Sequence, residues 1–140
     1  ADCLPVLLAR TDGTAVAAVH AGWRGLQAGI IAEGVASIAP NGEPVSAWLG
    51  PAICGQCYQV GDEVYRAFTE NRPAFKPAFQ KDATPNHWRF SVAHAAIIEL
   101  AQLGVDLSRL SEEIRLWTIG TCSRLDVATG TPQKSASSFW

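Results

Sequence analysis

The chain has 140 residues, 48% of them hydrophobic, with 11 basic and 13 acidic side chains and a formal net charge of −2. That length and composition suit a single domain spanning 1–140 with ample material for a core. The charge balance gives no bulk attraction to nucleic acid or to an acidic membrane surface, and no apolar run reaches the ~20 residues of a membrane span.

Leu4–Leu8 and Ala15–Val19 are apolar runs of strand length. Asp12-Gly13 between them is a hairpin signal, because the tight turns that join strands need positive φ. Cys3 sits just before the first strand and His20 just after the second, so an antiparallel hairpin makes them neighbours. A thiolate beside an imidazole serves either as part of a metal site or as a nucleophile with its base. His20 opens the run His-Ala-Gly-Trp-Arg-Gly. Gly22 and Gly25 allow close backbone approach to a ligand, and Arg24 presents a planar fork of donors suited to phosphate or carboxylate. Leu26, Ile30, Ile31, Val35 and Ile38 recur at helical spacing. A helix over Leu26–Ile38 therefore puts Arg24 and Gly25 at its N-terminus, where anions bind. The plainer account is a buried Cys, a core His and an Arg in a surface salt bridge. The coincidence of all three at one strand–turn–helix junction favours a site.

Pro40-Asn41-Gly42 breaks the helix, and Val45–Leu49 is a short strand stopped by Gly50-Pro51. Cys54-Gly-Gln-Cys57 has the spacing of a redox pair or half a zinc site, but no second pair accompanies it, and a loop with two small side chains packed under it accounts for it better. The four cysteines, Cys3, Cys54, Cys57 and Cys122, are too few and irregular for a secreted disulfide scaffold, so they are read as reduced and the protein as cytoplasmic. Asp62 is a candidate N-cap for a helix to Glu70, with Val64, Ala67 and Phe68 on its apolar face. Asn71–Pro85 carries three prolines and reads as an irregular surface loop or lid. His87–Phe90 is strand-like. Ser91 caps a helix over Val92–Leu103, with Ala93, Ala96, Ile97, Leu100 and Leu103 inward and Gly104 ending it. His87 and His94 read as structural or solvated rather than as ligands. Ser108–Glu113 is a turn or short helix with capping residues, and Ile114–Ile119 and Ser135–Trp140 are the last strands. The expected fold is α/β (α+β): a layered mixed sheet with flanking helices.

Three motifs carry a resemblance. Ala-Asp-Cys-Leu-Pro-Val-Leu, Val-His-Ala-Gly-Trp-Arg-Gly, and Leu-Gly-Pro-Ala-Ile followed by Tyr-Gln-Val-Gly-Asp-Glu-Val resemble the YfiH/YlmD laccase-domain family, named polyphenol oxidase and later zinc-dependent purine nucleoside phosphorylase. The resemblance implies zinc ligands at Cys3 and His20, with a third, a His, from an upstream segment that has no counterpart here. The chain thus resembles a family member lacking its N-terminal part. Cys122-Ser123 stands near the family's Cys-Thr, without the aromatic–Arg segment that follows it there. Three protein ligands leave a position open, the catalytic rather than the structural zinc pattern. Bound zinc lowers the pKa of water toward ~7, which suits adenosine deamination. Arg24 is the implied phosphate residue, so that Cys3, His20 and Arg24 form the catalytic set. Asp2 orients a ligand or is a turn residue; both readings stand.

The resemblance implies a zinc-dependent purine nucleoside phosphorylase with adenosine deaminase and methylthioadenosine phosphorylase activity. Its partners are purine nucleosides and phosphate, with no nucleic acid and no membrane; the sequence assigns no oligomeric state. One alternative is a cysteine hydrolase with Cys3 as nucleophile and His20 as base. The other is a copper-dependent polyphenol oxidase, with copper in place of zinc. Multicopper centres are rich in His, and three histidines do not build them. A non-enzymatic binding role completes the set.

Overall fold

The computed structural model describes residues 2–110 and the backbone of two short strands, Ser123–Leu125 and Pro132–Lys134. The chain opens with a hairpin of β1 (Leu4–Arg10) and β2 (Val16–Ala21), to which β3 (Val45–Leu49) adds on the other edge of β1. β1 pairs antiparallel with both β2 and β3, and Ser46 of β3 adds an isolated parallel bridge to Asp106. Strand alternation gives the sheet two different faces. Leu4, Val6, Leu8, Val19, Ala21, Val45, Ala47 and Leu49 are buried on one. Leu7, Val16 and Trp48 are exposed on the other, where Leu7 lies opposite Trp48. The turn forms at Asp12, whose carboxylate accepts from the Thr14 amide at 3.0 Å and the Thr14 hydroxyl at 2.7 Å.

The expected helix over Leu26–Ile38 is two helices, α1 (Trp23–Ala28) and α2 (Ile30–Ile38). Gly29 stands between them at φ 87°, in the left-handed region, and closes α1 with its N–H before opening α2. The apolar period runs through unbroken because Leu26 and Ile31 still reach one core; only the backbone break was invisible. Gly34 lets α2 sit close on the sheet: a Cβ there would be 2.7 Å from Val19 Cγ2 and 3.1 Å from Leu8 Cδ1.

A second antiparallel sheet has the order β4 (Gln59–Gly61), β6 (His87–Phe90), β5 (Phe79–Lys81). Helix α3 (Asp62–Thr69) follows β4 directly. Gly61, not Asp62, is its N-cap; Asp62 instead accepts from Trp88 Nε1 at 3.0 Å and pairs with Arg66 at 2.6 Å. Val64, Phe68 and Thr69 are its buried residues, while Ala67 is exposed. The expected surface loop 71–85 is largely structured. A 3-10 helix over Pro73–Ala78 buries Phe75 and Ala78, and β5 follows it. Prolines suit the first turn of such a helix, and Phe75 and Phe79 anchor it in an aromatic cluster. Phe68 lies 5.6 Å from Phe75, 5.7 Å from Phe79 and 5.1 Å from Phe90 between ring centroids. Tyr65 stacks on Trp88 at 3.7 Å.

Helix α4 (Val92–Gln102) starts as expected, with Ser91 Oγ accepting from the His94 amide at 3.1 Å. Its buried side chains are Val92, Ala95, Ala96, Glu99 and Leu100; Leu103 is exposed. Glu99 is the unexpected one. Burial pushes its carboxyl above the ordinary range, opposed by Arg72, 3.9 Å away, and by the Ala32 amide in the first turn of α2. Together these elements form the expected α+β fold, the named strands pairing antiparallel among the described residues. The expected strands Ile114–Ile119 and Ser135–Trp140 lie outside those residues. Among the described residues no helix is long and apolar enough to cross a membrane.

Candidate active site

The hairpin register sets the geometry. Leu4 lies opposite Ala21 and Pro5 opposite His20, so His20 stands within β2 rather than after it. Cys3, one step before β1, falls beside Gly22, and a Cβ on Gly22 would meet Cys3 Sγ at 3.2 Å. The thiol therefore needs the bare backbone of that glycine. Residues diagonal across an antiparallel pair lie about 7–8 Å apart, and Cys3 and His20 stand in that relation. His20 is exposed on the outer face, with no hydrogen bond to any described residue. Cys3 is a free thiol, half-buried. Neither donor group is engaged by a described residue, and an imidazole whose nitrogens are not committed there suits a metal. Two donors are fewer than the three or four a zinc site uses. Among the described residues no third His, Cys, Asp or Glu joins them in a cluster able to hold a metal.

Arg24 follows on the first turn of α1, which starts at Trp23 with Gly22 as N-cap. Its guanidinium carbon lies 4.5 Å from the centroid of the Trp23 ring, a cation–π contact. Arg24 makes no ion pair with any described residue. A cavity of about 150 Å3 is lined by Asp2, Cys3, Gly22, Trp23, Arg24, Tyr58 and Val92. Cys3, Arg24 and Asp2 therefore share a wall, while His20 lies outside that lining.

Sequence reasoning treated Tyr58 only as a letter in a motif. Its chain segment is held against the start of β1 by two backbone bonds, Gly50 N–H to Pro5 O at 2.8 Å and Ile53 N–H to Asp2 O at 3.1 Å. Burial raises the phenol's pKa, Cys3 adds to the rise and Arg24 opposes it. No local pattern announces this residue; the long-range backbone pairing brings it in.

The other candidates stand apart. His87 Nδ1 is 2.8 Å from Pro85 O, and His94 sits on α4, where burial lowers its pKa. Cys54 is a buried free thiol in the turn it makes with Cys57 N–H. Cys57 is disulfide-bonded, which corrects the expectation that every cysteine is reduced.

Residues 1–126 match the family described as multi-copper polyphenol oxidoreductase laccase. The chain belongs to this family. The laccase-domain chain is 42% identical over 105 residues to a Xylella fastidiosa (strain 9a5c) protein named purine nucleoside phosphorylase, covering 75% of itself and 40% of that protein. It is 57% identical over 68 residues to the protein named purine nucleoside phosphorylase YfiH of Escherichia coli K12, covering 49% of itself and 28% of that protein. The crystal structure of a Neisseria meningitidis protein matches with a TM-score of 0.69 at 40% identity, over 75% of this chain and 43% of that one. Bacillus licheniformis YfiH matches with a TM-score of 0.69 at 29% identity, over 79% and 43%. The laccase-domain chain spans less than half the length of the curated relatives it matches.

Proposed function

We propose that this chain carries the Cys3–His20–Arg24 part of a zinc-dependent purine nucleoside phosphorylase centre. The observation that carries the reading is the hairpin register, which sets the His20 imidazole one diagonal step from the free Cys3 thiol, with Arg24, which has no ion-pair partner among the described residues, lining the cavity beside that thiol. The relatives named purine nucleoside phosphorylase support the reaction class.

In this reading Cys3 as thiolate and His20 as neutral imidazole hold the metal, with a further ligand from outside the described residues. Zinc, when bound, supplies Lewis acidity near neutral pH. Arg24 holds the phosphate. A thiolate and a phosphate repel one another, and the guanidinium offsets that repulsion while its two parallel donors fix the anion's orientation. The Trp23 ring restrains the guanidinium from its face. An oxygen of hydrogen phosphate would then bond to the anomeric carbon of the ribosyl group as the bond to the purine nitrogen breaks, and the proton of the hydrogen phosphate would pass to the departing purine. Adenosine, inosine, guanosine and methylthioadenosine are the proposed nucleosides, and adenosine deamination is the proposed second reaction of the same centre.

Metal content measured alongside adenosine turnover, with and without phosphate, tests this. Stoichiometric zinc with phosphate-dependent adenine release, both lost in Cys3→Ala, supports the reading. Turnover that survives chelation but not thiol alkylation overturns it in favour of the cysteine hydrolase.

A further inference from the structure

Tyr58 enters the cavity from a part of the chain remote from the hairpin. Its ring centroid lies 6.0 Å from that of Phe90, and its carbonyl accepts the Phe90 amide at 2.9 Å. The ring is thereby fixed from behind, while the side chain lines the same cavity as Cys3, Arg24 and Asp2. Its hydroxyl makes no hydrogen bond to any described residue. A phenol is protonated at neutral pH and donates one hydrogen bond. Arg24, from α1, brings a second set of unused donors to the same cavity. The cavity of about 150 Å3 equals roughly five waters' share of liquid volume, enough for a phosphate-sized oxyanion. Asp2 also lines it, and its carboxylate opposes an anion there. Arg24 offsets that charge, so the uncharged phenol adds a directional hydrogen bond with no further charge to balance.

We infer that Tyr58 and Arg24 form a two-donor oxyanion subsite beside Cys3, in which the Tyr58 hydroxyl binds inorganic phosphate. This rests on the phosphorylase reading for its ligand, but phosphate binding can be read without turnover. Tyr58→Phe removes the hydroxyl and keeps the ring on Phe90. The full chain supplied with zinc is titrated with inorganic phosphate, followed by phosphorus NMR, and phosphorolysis of adenosine is measured in parallel. The expected result is about a tenfold rise in both the phosphate Kd and the phosphate KM in the variant, the factor for one hydrogen bond to a charged group. The nucleoside KM stays within about twofold. Unchanged phosphate binding in Tyr58→Phe overturns the inference, as does a rise confined to the nucleoside KM. Weakened phosphate binding in a chain that turns over no nucleoside sustains the subsite and overturns the phosphorylase reading instead. A wild-type chain that binds no phosphate overturns the subsite outright.

Discussion

Gly34→Ala sets two effects of similar size against each other. In an open helix the change stabilises, because Ala gains about 1 kcal/mol over Gly in propensity. Gly34 is not in the open. An added Cβ would stand 2.7 Å from Val19 Cγ2 and 3.1 Å from Leu8 Cδ1. Leu8 can turn its terminal methyl aside. Val19 is β-branched, buried and fixed by the β1–β2 ladder, so its methyl has nowhere to go. Overpacking of this kind costs about 1–3 kcal/mol. The net expectation is a loss of about 1 kcal/mol. With a urea m-value of about 1.5–2 kcal/mol/M for a chain of this size, the midpoint falls by about 0.5–0.7 M. The decisive control is Val19→Ala. Removing Cγ2 opens the space the new Cβ needs, so the double variant is more stable than the sum of the singles by about 1–2 kcal/mol. A midpoint that rises in Gly34→Ala, with strict additivity to Val19→Ala, refutes the close packing of α2 on the sheet.

Gly29→Ala probes backbone strain without crowding, since nothing lies within 4 Å of the added Cβ but φ is 87°; about 1–2 kcal/mol is lost, and hydrogen exchange quickens at the α1–α2 corner. Ser91→Ala removes the acceptor of the His94 amide and costs about 1 kcal/mol, read as a fall in Tm. Glu99 has a folded pKa above its unfolded value, so its contribution is fully present below about pH 4.5 and is lost as pH rises through the folded pKa. Glu99→Gln is therefore more stable than wild type at pH 7, with a difference that shrinks toward pH 4; urea unfolding at several pH values checks it, and a variant less stable at pH 7 contradicts it. On the proposed zinc reading, His20→Ala is expected to lower bound zinc and His87→Ala to leave it unchanged, by metal analysis after dialysis.

What could be read in the sequence divides along contact range. Val45–Leu49 was legible to the residue because a short apolar run between breakers has one sensible length, and the β1–β2 hairpin because its turn is local. The two-helix corner was not, since one glycine in a sustained apolar period looks like any tolerated helix glycine; only φ at Gly29 reveals the break. Residues 71–85 misled for the opposite reason. Their prolines signal a loop, yet Phe75 and Phe79 find partners in Phe68 and Phe90 from α3 and β6, and that burial outweighs local preference.

The candidate site follows the same division. The hairpin register sets Cys3 and His20 one diagonal step apart, and the turn after it brings Arg24 to the cavity that Cys3 lines; their chemistry is announced by residue type. Tyr58 and Val92 reach the cavity through β1's backbone pairing with the 50–53 segment and through the Phe90 packing, contacts that no spacing rule encodes. The local part of the site supplies charge and reactivity, and the distant part supplies walls and an uncharged donor. A local substitution such as Cys3→Ala should therefore remove activity altogether. Changes at Tyr58 should instead shift affinity for one substrate while leaving the metal in place, and Tyr58→Phe tested against Cys3→Ala for both zinc content and phosphate Kd separates the two classes. Equal loss of zinc in both variants would mean that the cavity's far wall also positions the ligands, and the division between the two halves would fail.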